Sequence, residues 1–350
     1  MDGNALILCE GYFAQIDGKT AHGLVRNTDR YNVVGVLDST LAGRDAGEVL
    51  HGKANGITIF ASLQDAMCEA KPKPSHLVIG LAPEGGMLPS ELRPVVMNAL
   101  ELGLNVDSGL HEFLTEDKDL AAAASRSGAV IRDVRKTPPR SELHFFSGKI
   151  DDVRARRIAT LGTDCAIGKR TTATILVNAL NQAGHKTEMI GTGQTAWLQG
   201  VRFRILLDSL INDFVGGELE HAILEADRIE APEFMLIEGQ ACLTHPGGSG
   251  GFEILSSARP HGVILQHAPI RKTYDGYDRY PLAPPEAHIQ SIEQLFGSKV
   301  IALGINPEGY DRREIPQLIS SHEDRFGIPC CDPITEGPQK LIDAVMTLCK

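Results

Sequence analysis

The sequence predicts an α/β protein, an N-terminal Rossmann-like domain followed by a P-loop NTPase-like parallel α/β domain, and three observations carry that prediction. Short apolar runs alternate with amphipathic, Ala- and Leu-bearing segments through both halves, the pattern of a parallel sheet with helices on its faces. The alternation is interrupted at Lys136-Thr137-Pro138-Pro139-Arg140-Ser141, where paired prolines stop regular structure, and then restarts. At the restart, the apolar run Arg157-Ile158-Ala159-Thr160-Leu161 opens onto Gly162-Thr163-Asp164-Cys165-Ala166-Ile167-Gly168-Lys169-Arg170-Thr171-Thr172, a glycine-bounded turn leading into a helical pattern.

In the first half, strands are expected at 5–9, 32–37, 57–60, 76–81, 104–107 and 129–133. Helices are expected at 19–26, 62–68, 88–102 and 120–127. Asp38 closes the second strand, where a dinucleotide fold often sets an acidic residue on the ribose, yet no G-x-G-x-x-G follows the first strand. Gly18-Lys19-Thr20 stands there instead and reads as a helix start. NAD is therefore not expected. The boundary is expected between residues 134 and 156, giving domains 1–140 and 141–350.

The second half reads as strand 158–161, helix 169–183, strands 186–190 and 204–207, helix 217–227 and strand 233–237. It continues with strand 262–266, helix 285–296, strand 299–303, and helices 311–326 and 337–348. The loop between the first strand and helix aims backbone N–H groups and the positive helix end at one point, and Lys169 adds a full charge, so phosphate is the expected ligand. It departs from Walker A in two ways. Five residues separate Gly162 from Gly168 where four are usual, and Arg170 stands where Ser or Thr follows the lysine, leaving Thr171 to offer a hydroxyl to Mg²⁺.

Phe234-Met235-Leu236-Ile237-Glu238 is a buried-type strand ending in a carboxylate, the position that holds Mg²⁺ or its water beside a P-loop. Asp208 and Asp213 offer a metal-shell carboxylate or a general base, and equally a helix cap. If Mg²⁺ is used, Thr171, Asp208 and Glu238 are its expected ligands. Gln194 and Thr195, after the glycines of Gly191-Thr192-Gly193, and Gln240 are candidate substrate contacts, against the plainer reading of a turn. His245, in Thr244-His245-Pro246-Gly247-Gly248, is a candidate acid–base residue or a structural histidine, with His267 behind it. The loop 271–280 mixes Arg271 with three tyrosines and suits a carboxylate, an adenine ring or an oligomer contact.

A net charge of −11 disfavours a nucleic-acid partner. Seven scattered cysteines without metal spacing suggest a reducing compartment. No stretch approaches the roughly 18 apolar residues of a membrane span. A cytoplasmic protein with no membrane partner is expected, and a homo-oligomer, since most oligomers are symmetric.

The loop from Gly162 to Lys169 resembles the G-T-D-x-x-x-G-K loop of dethiobiotin synthetase, as does the strand end Ile237-Glu238-Gly239, although Arg170 replaces that enzyme's Thr. Lys19-Thr20-Ala21-His22-Gly23-Leu24, the Gly168-Lys169-x-Thr171-Thr172 variant, Gly191-Thr192-Gly193-Gln194-Thr195 and Glu238-Gly239-Gln240 together resemble a two-domain bacterial and archaeal family. One branch of that family acetylates D-glutamate from acetyl-CoA. The resemblance implies an N-acetyltransferase with a small amino-acid substrate and acetyl-CoA as co-substrate, the loop 162–172 holding CoA phosphates. It also implies a base among Asp208, Asp213, Glu238 and His245, and an arginine such as Arg202, Arg204 or Arg271 for the substrate carboxylates. The alternatives are an ATP- and Mg²⁺-dependent ligase or kinase of the dethiobiotin-synthetase type, and a nucleotide-binding protein without turnover.

Overall fold

A computed structural model describes residues 1–349, apart from the side chain of Glu84. The described residues separate into two compact units, one of residues 1–137 with 194–201 and one of residues 138–193 with 202–349.

The first unit is built on strands β1 (Gly3–Leu8), β2 (Tyr31–Leu37), β3 (Ile59–Phe60), β4 (His76–Ile79), β5 (Asn105–Ser108) and β6 (Ile131–Asp133). They form one sheet in the order β3-β2-β1-β4-β5-β6, every pairing parallel. That order, reversing between β1 and β4, is the doubly wound arrangement. Its helices are α1 (Lys19–Arg26), α2 (Ala46–His51), α3 (Leu63–Glu69), α4 (Arg93–Glu101) and α5 (Lys118–Ser127), of which the sequence did not suggest α2. The ends of α5 follow local chemistry. Asp117 accepts from the amides of Asp119 and Leu120, and Gly128 closes the helix at φ 78°. Asp38 is fully buried, but its carboxylate already takes Phe13 N, Thr40 N and the Thr40 hydroxyl.

The second sheet comprises β7 (Arg156–Gly162), β8 (Thr187–Gly191), β9 (Phe203–Arg204), β10 (Phe234–Glu238), β11 (Gly262–His267), β14 (Lys299–Ile305) and β15 (Cys330–Cys331). Its order is β15-β14-β11-β7-β10-β8-β9, all parallel. β12 (Thr273–Tyr274) and β13 (Tyr277–Pro281) form a separate antiparallel hairpin. The region was expected to be a loop; Asp275-Gly276, with Gly276 at φ 77°, supplies the two-residue turn that folds it. Every residue of β10 and β11 is buried, as strands covered on both faces require. The covering helices are α6 (Lys169–Gln182), α8 (Asn212–Glu230), α9 (Gly250–Ala258), α10 (Pro285–Phe296), α11 (Ile315–Phe326) and α12 (Gln339–Met346). The strand expected at 204–207 is instead the two-residue β9 followed by a turn, and α8 starts five residues earlier than expected.

The remaining helix, α7 (Gln194–Gln199), follows β8 in sequence but packs in the first unit. Gln194 Nε2 donates to Thr20 Oγ1 at 2.6 Å, and Gln199 Nε2 donates to the carbonyls of Gly23 and Asn27 at 2.9 and 2.8 Å. The Arg30 guanidinium lies 3.9 Å above the Trp197 ring, a cation–π contact. These bonds tie α7 to α1 and the turn after it.

Candidate functional site

In an open parallel sheet the ligand crevice lies beyond the carboxyl ends of the strands. Four adjacent strands of the second sheet deliver chemistry there: β8 leads to Thr192 and Gly193, β10 to Glu238 and Gln240, β7 to the 162–172 loop, and β11 to Gln266 and His267. The register fixes their levels, with Glu238 beside Thr160 and Gln266 beside Gly162.

The loop is held open by unusual backbone. Gly168, the residue before α6, sits at φ 103°, which favours glycine, and Ala166 sits at φ 49° despite its side chain. Such conformations persist where the surroundings enforce them. Thr163 Oγ1 and His267 Nδ1 lie 2.9 Å apart, and Thr172 Oγ1 donates to Gln266 Oε1 at 2.8 Å, so both ends of the loop are pinned to β11. The first amides of α6 have no acceptor within the helix. Lys169 is buried beside them, its Nζ donating to the Asp164 carbonyl at 2.6 Å. Burial lowers the Lys169 pKa, against the raising pull of Asp164 and Glu238. Unbonded helix-start amides beside a buried lysine are an arrangement able to receive an anion.

Glu238 is 3% exposed. Its Oε2 accepts from Thr192 N at 2.8 Å and Gly193 N at 3.2 Å, while Thr192 Oγ1 donates to the Glu238 carbonyl at 2.9 Å. Both bonds fall on one oxygen. Burial raises the Glu238 pKa above the usual carboxylate range, and the Arg170 charge and the two amides oppose that rise. Arg170, the departure from Walker A, thus acts electrostatically on the carboxylate of the neighbouring strand. Gly239 permits this closeness, since a Cβ there would lie 2.1 Å from the Thr160 carbonyl oxygen. Gln240 Nε2 donates to Thr192 Oγ1 at 3.1 Å, completing the group.

Asp164 organises the other wall. Its fully buried carboxylate accepts from Arg271 Nη1 at 2.8 Å and from Asp275 N at 3.2 Å. The rest of the Arg271 guanidinium faces Cys165 O and the Glu308 carboxylate, so Arg271 ties the loop to the hairpin with its donors engaged. His245 Nδ1 accepts from Gly247 N at 3.1 Å, which places the ring proton on Nε2, facing Asp275 O at 3.2 Å and Asp164 Oδ1 at 3.8 Å. With both nitrogens engaged, His245 in this form joins elements and has no lone pair free for a substrate proton.

Among the described residues, Asp164, Cys165 and His245 are the group of three whose donor atoms lie within 4.8 Å of one another. They do not suit a cation. The carboxylate is taken by Arg271, the His245 nitrogen facing it carries the proton, and burial pushes the Cys165 thiol up to about 11.

Asp208 is exposed in the turn after β9, and Asp213 is exposed in the first turn of α8, a favourable place for an acid at a helix N-terminus. Thr171 is half-buried in the first turn of α6. Arg202 pairs with Glu230, and Arg204 donates to the Arg202 carbonyl. Gln194 and Thr195 belong to the first unit, both beside Thr20.

One buried group escaped the sequence reading. His288, on α10, is 1% exposed, and its Nε2 lies 3.5 Å from Thr244 Oγ1, which in turn is 2.7 Å from the Tyr274 hydroxyl. Burial, aided by the Lys169 charge, lowers its pKa to about 4. Its helical spacing in an amphipathic segment gave no chemical signal.

Residues 39–137 match a family described as a domain of unknown function (DUF1611_N), Rossmann-like domain. Residues 144–342 match its companion, described as a domain of unknown function (DUF1611_C), P-loop domain. A D-glutamate N-acetyltransferase from Tritonibacter scottomollicae is 31% identical over 285 residues, 77% of this chain and 80% of that protein. A D-glutamate N-acetyltransferase from Pseudoalteromonas sp. is 27% identical over 296 residues, 82% of this chain and 87% of that protein. The crystal structure of a DUF1611 family protein from Anabaena variabilis ATCC 29413 superposes with a TM-score of 0.90 at 29% identity, over 98% of this chain and 99% of that one. No helix among the described residues is long and apolar enough to cross a membrane.

Proposed function

The chain belongs to the DUF1611 family, whose Rossmann-like and P-loop domains it carries in that order, and from that membership we propose that it moves an acetyl group from acetyl-CoA to the amino group of D-glutamate or a related amino acid. The observation that supports the reading is that a glycine-bounded helix start with a buried lysine and a buried carboxylate follow adjacent strands, in a chain whose relatives bear the name D-glutamate N-acetyltransferase.

In this reading the first-turn amides of α6 and Lys169 hold phosphates of CoA, an anchor that needs no hydrolysable phosphate. Glu238 is the base. A substrate ammonium must lose a proton before its nitrogen attacks the thioester carbonyl, and a carboxylate with a raised pKa accepts that proton more readily than an ordinary one. The two amides occupy Oε2, so the proton goes to Oε1. The amide C–N bond then forms, the C–S bond breaks, and the departing thiolate takes the second proton, the one the attacking nitrogen sheds as it becomes an amide. Donors directed at the developing oxyanion would contribute most to such a step.

A thermal-shift panel separates this reading from an ATP- and Mg²⁺-dependent ligase. A ligand at 100 times its dissociation constant adds about 2.7 kcal/mol of stability. CoA and acetyl-CoA are expected to raise the melting temperature more than ATP with Mg²⁺ does. Stabilisation by ATP–Mg²⁺ alone would favour the ligase.

A further inference from the structure

The β12–β13 hairpin has two unlike strands. The approach to β12 and the turn after it are bound to the phosphate loop: Arg271 donates to Asp164 Oδ2 and Cys165 O, and Asp275 N to Asp164, while His245 Nε2 reaches Asp275 O. The Tyr274 hydroxyl pairs with Thr244 Oγ1 and accepts from Ala283 N at 3.1 Å. Beyond the turn, every residue of β13 is exposed, including Tyr277 at 37% and Tyr280 at 55%. The two rings meet edge to face, with centroids 6.0 Å apart at 90°. Tyr277 is itself braced by the His245 ring, 5.4 Å away at 83°. One imidazole therefore separates Tyr277 from the Asp164 carboxylate of the loop. A tethered strand that shows two aromatic rings and Arg279 to solvent, its Tyr277 ring one imidazole away from Asp164 of the loop, presents what a heterocyclic base needs: a π-face and a neighbouring cation.

We propose that this hairpin is the adenine platform of the site, with Tyr280 as the stacking ring and Tyr277 as the brace that fixes it, for the nucleotide whose phosphates rest on the 162–172 loop. The proposal rests on the reading of that loop as a phosphate cradle. The donor named above, CoA, carries an adenine.

The test is calorimetric binding to the full-length protein, comparing the wild type with Tyr280→Ala and Tyr280→Phe. The probes are CoA and 4′-phosphopantetheine, which lacks the adenine, with ATP and tripolyphosphate as a second pair. Tyr280→Ala is expected to weaken CoA about tenfold and leave 4′-phosphopantetheine unchanged, while Tyr280→Phe stays within about twofold of the wild type. Equal losses for both members of a pair, or no loss for CoA, would overturn the platform. A change in molar mass by light scattering in Tyr280→Ala, with CoA binding kept, would also overturn it and make the hairpin a subunit contact. If the wild type binds ATP but not CoA, the acetyl-donor reading fails, and the ATP and tripolyphosphate pair then decides the platform by the same criterion. Binding of neither nucleotide overturns both.

Discussion

Two side chains carry the proposed chemistry, and each separates from the other in a kinetic experiment. Lys169→Ala removes the charge of the cradle and should raise the KM for acetyl-CoA at least tenfold, the cost of one charge-assisted hydrogen bond. Glu238→Gln keeps an oxygen for the Thr192 and Gly193 amides but cannot take a proton. Its kcat should fall about 10²- to 10⁴-fold with the donor KM nearly unchanged. Because burial raises the Glu238 pKa, the acid limb of the kcat profile should lie above the ordinary carboxylate range, and Glu238→Gln should abolish that limb. A kcat profile without an acid limb above the ordinary carboxylate range, and an active glutamine variant, would assign the base elsewhere. The sequence already showed Lys169 and Glu238, because a strand ending in a glycine-bounded turn and a strand ending in a carboxylate are local patterns. It did not show that His245 has both ring nitrogens engaged, or that Arg271 is committed to Asp164 and Glu308, since those partners come from distant segments.

At the scale of elements, the site depends on the close approach of β7 and β10. Gly239→Ala would place a Cβ 2.1 Å from the Thr160 carbonyl oxygen and within 3.1 Å of the Lys169 side chain. Forcing that contact should cost about 1–3 kcal/mol, read as a lower urea midpoint, together with loss of donor binding. The strands were legible because their apolar runs are continuous. α7 was not, because its membership in the first unit comes from side-chain bonds to Thr20, Gly23 and Asn27, and no periodicity encodes those. The hairpin does not read as strands although Asp275-Gly276 marks its turn; the exposed, charged strand beside that turn lacks the apolar alternation by which strands are recognised.

Over the whole molecule, the buried His267 and His288 and the half-buried His261 contribute to the response to acid. Burial lowers the pKa of His267 to about 3, and those of His261 and His288 to about 4. Each takes up a proton more readily when unfolded, near pH 6.5. Their contribution is complete above about pH 6.5 and is lost as pH falls from there towards 4, by about 3 kcal/mol for His288. The urea midpoint should therefore drop over that window, and His288→Gln should drop less. An unchanged slope in the variant would show that His288 is not among the groups responsible.

The central claim, acetyl transfer from a CoA thioester to an amino acid, is tested most directly by incubating the protein with acetyl-CoA carrying a ¹³C-labelled acetyl group and D-glutamate. Free thiol and product mass are followed without ATP or Mg²⁺. The account predicts one thiol released per labelled N-acetyl product, with both signals suppressed in Glu238→Gln and restored towards wild-type rates at high donor concentration in Lys169→Ala. Absence of labelled product with D-glutamate and with a panel of other D- and L-amino acids, alongside consumption of ATP when Mg²⁺ is added, would contradict it.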